Sequence, residues 1–283
     1  MLTNLEVYSS LSTAPDLPLT VGVGEFEDPI HIRDITGLGP VKADVNTSPY
    51  GSLDADFYTG GHVGQRNIVL TFGFSPDFVN NTVSSLRQKL YGYFMSKQPV
   101  TLRFFGDEFP PLEISGITES NEPSIFAQDP EIVISVICPD PDFVAVSPSV
   151  LDGVANANPG WVDFTRVGNI DTSGRIVITA NAGDPTYNGG VQLEYKTLAP
   201  GTNIFKITGA IDPSESMVID SKRGGKIAQN VVTGDTVNLL NSMTVDSKWL
   251  NLRPGTNSLR VVLDAGASDH PWELTYYERY GGL

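Results

Sequence analysis

A chain of 283 residues that is 40% hydrophobic and 18% charged has the apolar content of a folded globular protein, which excludes a disordered polymer, and its net charge of −15 is the wrong sign for gripping nucleic-acid phosphates. Its 28 glycines and 20 prolines have no period, which excludes a collagen-like repeat, and no run approaches the ~18 apolar residues of a membrane helix. One cysteine, Cys138, excludes an internal disulfide, and His31, His62 and His270 are too scattered to make a zinc-type cluster.

Met1–Ser10 has neither a basic nor an apolar leader region, so the chain is expected to be made in the cytoplasm without a secretion signal. Leu5–Tyr8, Ile30–Ile35 and Val41–Val45 read as short strands, and Asn67–Phe74 (N-I-V-L-T-F-G-F) as a longer one. Between them Asn46–Gln65 is polar and glycine-rich, far longer than an ordinary connection. It nevertheless contains Tyr50, Leu53, Phe57 and Tyr58, side chains that need something to bury against. Two readings stay open: an arm reaching a neighbouring subunit, or an extended hairpin packed on its own domain.

Ser75-Pro76-Asp77 supplies a cap, a first-turn proline and an acid, and Val79, Val83, Leu86, Leu90, Tyr93 and Phe94 follow at helical spacing. This predicts an amphipathic helix of about five turns, ending near Lys97 because Pro99 disfavours helical geometry at Gln98. Strands are expected again at Val100–Phe105, Leu112–Ser120 and Glu131–Ile137. One helix among many strands implies an α+β domain with the helix laid on a sheet.

Cys138-Pro139-Asp140-Pro141-Asp142 reads as a stiff connector, which divides the chain into residues 1–142 and 143–283. In the second half short strands are predicted at Arg175–Ala180, Gly190–Tyr195, Asn203–Ile207, Ser216–Asp220, Lys226–Asn230, Trp249–Leu252, Ser258–Leu263 and Trp272–Tyr280. Turns such as Ala199-Pro200-Gly201-Thr202 separate them, as in an antiparallel β-sandwich. The whole chain is thus expected to be mainly β.

Catalytic chemistry has no anchor. Asp54 with Asp56 and Asp107 with Glu108 are neighbours, but among 33 acids such pairs arise by chance on a solvated surface. There is no G-x-S-x-G elbow, and Gly60-Gly61, Gly189-Gly190 and Gly224-Gly225 sit in no phosphate-binding frame. Lys222, Arg223 and Lys226 read as a hairpin tip. Trp249 and Trp272 read as core residues, although exposed tryptophans on sandwich loops, Trp161 included, can stack on sugars. Cys138 reads as a small buried hydrophobe. No enzyme activity, cofactor or metal site is expected.

The strings Ile32-Arg33-Asp34-Ile35-Thr36-Gly37-Leu38-Gly39-Pro40, Thr47-Ser48-Pro49-Tyr50 with Leu53-Asp54, and Val63-Gly64-Gln65-Arg66-Asn67-Ile68-Val69-Leu70 follow one another. Leu86-Arg87 with Leu90-Tyr91 and Ile137-Cys138-Pro139-Asp140-Pro141 come next. In this order they resemble the N-terminal domain of the distal tail proteins of long-tailed, non-contractile (siphovirus-type) bacteriophages. Ser247-Lys248-Trp249-Leu250-Asn251-Leu252-Arg253-Pro254-Gly255-Thr256-Asn257 and the ending Tyr276-Tyr277-Glu278-Arg279-Tyr280-Gly281-Gly282-Leu283 are similar to the close of that family.

The resemblance implies a virion protein at the distal end of the tail: a homohexameric ring of N-terminal domains around a channel for DNA, with galectin-like sandwiches projecting outward. The ring would join the tail tube protein to the tail hub, and could also meet the tape measure protein and side-fibre or receptor-binding proteins. Tyr50, Leu53, Asp54, Phe57, Tyr58 and Arg66 are then the candidate subunit interface. Residues 1–142 carry 19 acids against 7 basic residues, and residues 143–283 carry 14 against 11. An acidic first domain suits a channel through which DNA slides without sticking. The rival reading is a carbohydrate-binding adsorption protein that uses its sandwich.

Overall fold

The computed structural model describes residues 1–9, 18–23, 28–51, 54–125, 128–180, 186, 189–197, 201–208, 211–212, 214–232, 235–263 and 269–283. The chain forms two compact units, one of residues 1–146 with 280–283 and one of residues 147–279. The first therefore extends through the connector and takes back the last four residues.

In the first unit the strands are β1 (Leu2–Ser9), β2 (Leu19–Gly22), β3 (Ile30–Thr36), β4 (Ala43–Pro49), β5 (Asp56–Val63), β6 (Arg66–Phe74), β7 (Pro99–Gly106), β8 (Leu112–Pro123), β9 (Glu131–Cys138) and β10 (Phe143–Ala145), with α1 at Val83–Tyr91. The main sheet runs β2-β1-β7-β8-β9-β6-β3 with antiparallel pairings, and β10 pairs with β8. A bridge between Val23 and Ile32 draws the two ends of this sheet together. Period-two alternation turns Leu5, Val7, Ile68, Leu70, Phe72, Leu102, Phe104, Ile132 and Ile134 into one core, all 0% exposed.

The helix is shorter than the sequence predicts and starts later. Leu86, Leu90 and, just beyond the helix, Phe94 are buried as expected, and the Phe94 ring meets Phe72 at 5.7 Å. Val79, placed in the apolar stripe by its spacing, is 87% exposed. The cause is Asp77. Its Oδ1 accepts from the amides of Val79, Asn80 and Asn81 at 3.0, 2.9 and 2.9 Å, a turn that competes with helical hydrogen bonding. Phe78 there takes a φ of 56°. The true start is a capping box: Thr82 Oγ1 accepts from the Ser85 amide and Ser85 Oγ accepts from the Thr82 amide.

In the second unit β11 (Ser149–Ala155), β12 (Val162–Arg166), β13 (Gly174–Thr179), β14 (Val191–Lys196), β15 (Asn203–Ile207), β16 (Ser216–Asp220), β17 (Ile227–Val232), β18 (Asp235–Asn238), β19 (Gly255–Leu263) and β20 (His270–Tyr276) precede the two-residue β21 (Arg279–Tyr280). A six-stranded sheet, β11-β20-β13-β16-β17-β18, faces a four-stranded sheet, β12-β19-β14-β15. Ile176, Ile178 and Leu274 of one and Leu193, Phe205 and Val261 of the other share a single core. The architecture is mainly β, an α+β unit and an antiparallel sandwich.

Several elements depart from expectation. Leu250 and Leu252 are buried, but their segment is no strand; it is held by the reciprocal amide bonds of Thr172 and Leu252. Strands β12 (V-D-F-T-R) and β18 (D-T-V-N) are short and polar, and β11 (S-V-L-D-G-V-A) puts Val150 and Val154 on its exposed face, so none stands out in the sequence. Trp272 is buried in β20, opposite Gly153, where a β-carbon would lie 2.5 Å from the indole.

Candidate functional site

The long polar segment is an antiparallel hairpin. Strands β4 and β5 pair from Ala43 opposite Val63 to Pro49 opposite Asp56, with a bulge at Asn46/Thr47, and they form a two-stranded sheet of their own. Thr59 Oγ1 donates to the Asn46 carbonyl at 2.9 Å and Thr47 Oγ1 to Asp56 Oδ2 at 3.3 Å, while His62 lies 3.5 Å from Asp44. At the bulge Gly60 has a φ of 148°. At the tip the Tyr50 amide donates to the Ala55 carbonyl, and the Tyr50 and Phe57 rings meet at 5.2 Å.

Every residue of these two strands is exposed or partly exposed. Tyr58 is 67% and Val45 60% exposed, and Tyr50, Phe57 and Val63 are exposed as well. A lone two-stranded ribbon is marginal in water, and a cluster of exposed aromatics on one is the mark of a surface meant to be covered. Of the predicted interface residues, Tyr50, Asp54, Phe57 and Tyr58 lie on this hairpin; Leu53 falls outside the described residues. The expectation that it packs on its own domain is not met by side chains this open.

Arg66 requires a correction. It begins β6, three residues after the hairpin, and only 2% of it is exposed, so its side chain is not available to a neighbour. Its guanidinium donates to four main-chain carbonyls: Pro141 (2.6 Å), Gly37 (2.6 Å), Gly39 (2.6 Å) and Gly281 (2.7 Å). It also stacks 4.5 Å above the Phe143 ring. Burial lowers its pKa, opposed by Cys138 and Asp142; the Cys138 thiol is in turn pushed up to about 11 by burial.

This cluster clamps the root of the hairpin. Gly37 and Gly39 lie on the segment entering β4, and Arg66 lies on the segment leaving β5, so one side chain ties both together. Gly37 has a φ of +86°, and a β-carbon there would lie 2.0 Å from the Asn67 carbonyl oxygen. The C-terminus joins the same knot: Leu283 donates its amide to the Leu38 carbonyl, and Gly282 packs on Pro40. The family-like ending Tyr280-Gly281-Gly282-Leu283 is the sequence signal for this clamp, but nothing local to it points at Arg66.

The three tryptophans offer no bare ring platform. Trp272 is core, Trp249 packs on Phe205 at 4.9 Å with Lys226 nearby, and Trp161 has Lys196 at 4.0 Å and Arg260 at 4.5 Å over its ring. Among the described residues no group of three or more His, Cys, Asp and Glu side chains could hold a metal ion.

Two family models match the chain. Residues 25–157 match the phage tail protein RIFT-related domain, and residues 168–280 match the C-terminal domain of the siphovirus-type tail component. No curated protein matches the sequence. Among solved structures the fold is similar to the Dit protein of phage SPP1, described as a paradigm of the hub adsorption apparatus in phages infecting Gram-positive bacteria. The TM-score is 0.67 at 10% identity, over 97% of this chain and 98% of that one. A chain in the phage P2 baseplate, in its activated conformation with Ca, aligns over 100% of both chains at 8% identity, with a TM-score of 0.49.

The two family matches define a component of a siphovirus-type phage tail. The chain belongs to the siphovirus distal tail protein family.

Proposed function

We propose that this protein is a structural adaptor which closes into a homohexameric ring, joining the tail tube to the tail hub and to receptor-binding or fibre proteins. The observation that carries the reading is the β4–β5 hairpin: exposed aromatics on a ribbon that pairs only with itself, held at its root by a buried arginine. A ring needs a head-to-tail contact between unlike surfaces, and an arm fixed at its base supplies one half of it. The acidic first unit suits a central passage, because like charge denies DNA phosphates a foothold. In this reading the protein performs no catalysis, and DNA passes through the ring without specific binding.

The test is native mass spectrometry of the purified chain over a concentration series, followed by negative-stain imaging. The intact chain is expected to form a hexamer with a central hole. Replacing residues 44–62 by a short Gly-Ser turn should leave folded monomers, and hexamers that persist without the hairpin would reject the assignment.

A further inference from the structure

The outer face of the four-stranded sheet carries a polar site in the unit that does not bear the β4–β5 hairpin. On β14, Val191, Leu193 and Tyr195 point into the core, so Gln192 and Glu194 point away from it. Glu194 stands opposite Arg260 of β19 and opposite Ile204 of β15. Arg260 Nε and a terminal guanidinium nitrogen donate to Glu194 Oε2 at 2.9 and 2.7 Å, and Gln192 donates to Glu194 Oε1 at 2.7 Å. Trp161 then fixes Arg260 and Lys196 through its ring. The row is locked before any ligand arrives.

Beside it lies a groove of about 370 Å³ whose lining includes Gln192, Ile204, Lys206, Thr244, Asp246 and Lys248. Its outer wall, residues 244–248, is clipped to the edge of β15. The Thr244 amide donates to the Lys206 carbonyl, the Lys248 amide to the Ile204 carbonyl, and Ser247 Oγ bonds both the amide and the carbonyl of Lys206. These bonds fix the main chain of the wall, from which the Asp246 and Lys248 side chains extend into the groove.

We propose that this groove, with the adjoining Glu194–Arg260 pair, is a saccharide-binding site. A sugar hydroxyl both donates and accepts, and vicinal hydroxyls match a carboxylate set beside an ammonium or guanidinium group. Glu194 with Arg260 makes that pairing directly, and Asp246, Lys206 and Lys248 bring both charges to the lining of the groove. Ile204 supplies the apolar floor for ring carbons, and the volume falls in the range of small-molecule sites, enough for about one or two sugar rings. Trp161 acts as a positioning residue for the two cations it holds.

The test uses the full chain and saturation-transfer NMR with a panel of lactose, maltose, cellobiose and diacetylchitobiose at millimolar concentration. Transfer to at least one disaccharide is expected. It should weaken roughly tenfold or more in Asp246→Asn and in Glu194→Gln, since each removes a charged acceptor. Thermal melting and native mass spectrometry on the same samples separate this result from misfolding and from the ring assignment, because Asp246→Asn, an exposed position, should melt as the parent does and both variants should stay folded and assemble. No transfer to any sugar, transfer unchanged in both variants, or transfer abolished by inorganic phosphate at equal concentration would overturn the site; the last result would reveal an anion pocket.

Discussion

Two buried arginines organise the chain at the level of single residues. Arg66 holds four carbonyls at the hairpin root, and Arg166 does similar work in the second unit. The Arg166 guanidinium donates to the carbonyls of Leu252 and Ile170 and to Glu278 Oε2 at 2.9 Å, while Glu278 accepts the amides of Val167 and Gly168. Removing one partner strands the other in a dry site. Glu278→Ala is therefore expected to cost about 3–5 kcal/mol in denaturant unfolding. Arg66→Met should cost about 3 kcal/mol or more and leave residues 280–283 open to carboxypeptidase, because four carbonyls lose their donor together. Arg66→Lys should rescue only in part, since an ammonium cannot span the same fork.

Asp77 offers a titration test at the same scale. Amide donation from Asn81, side-chain and amide donation from Asn80, and the Val79 amide hold its carboxyl at about 2, against an ordinary 3.8. A carboxyl depressed in the fold stabilises it above the unfolded value, and that contribution fades as pH falls from 3.8 through about 2. An NMR titration of Asp77 with its midpoint near 4 would contradict the turn. The sequence marks Asp77 as significant but for the wrong role: Ser-Pro-Asp is a helix-start signal, and only the backbone geometry at Phe78 shows the acid serving a turn of its own.

Among the elements, long alternating runs were readable and special ends were not. β6, β7, β8 and β9 lie within a few residues of their expected bounds, because aliphatic alternation with a buried face admits one register. The start of α1 was misread because a Thr/Ser capping box lacks the usual Glu or Gln; Thr82→Ala should cost about 1 kcal/mol, measured by thermal unfolding. The hairpin was legible as something unusual from its length and its aromatics, yet the clamp beneath it was not. Arg66, Gly37, Pro141 and Gly281 come from four distant stretches, and main-chain carbonyls leave no mark in a sequence. The pairing of Gly153 with Trp272 is hidden in the same way.

On the scale of the whole molecule, the acids and the exposed aromatics concentrate in the first unit, whereas the preorganised polar face belongs to the second. The proposed ring contact and the proposed saccharide site therefore lie in separate units, and each can be tested without disabling the other. The chain passes from the first unit to the second after Val146 and returns at Tyr280. In chain order the second unit is an insertion between residues 146 and 280 of the first. A protein in which residues 147–278 are exchanged for a two-residue turn should still fold and assemble, and a foreign domain whose ends lie close together could be grafted at the same place. In the proposed assembly, a whole module at this place could be exchanged in evolution by a single insertion between residues 146 and 280.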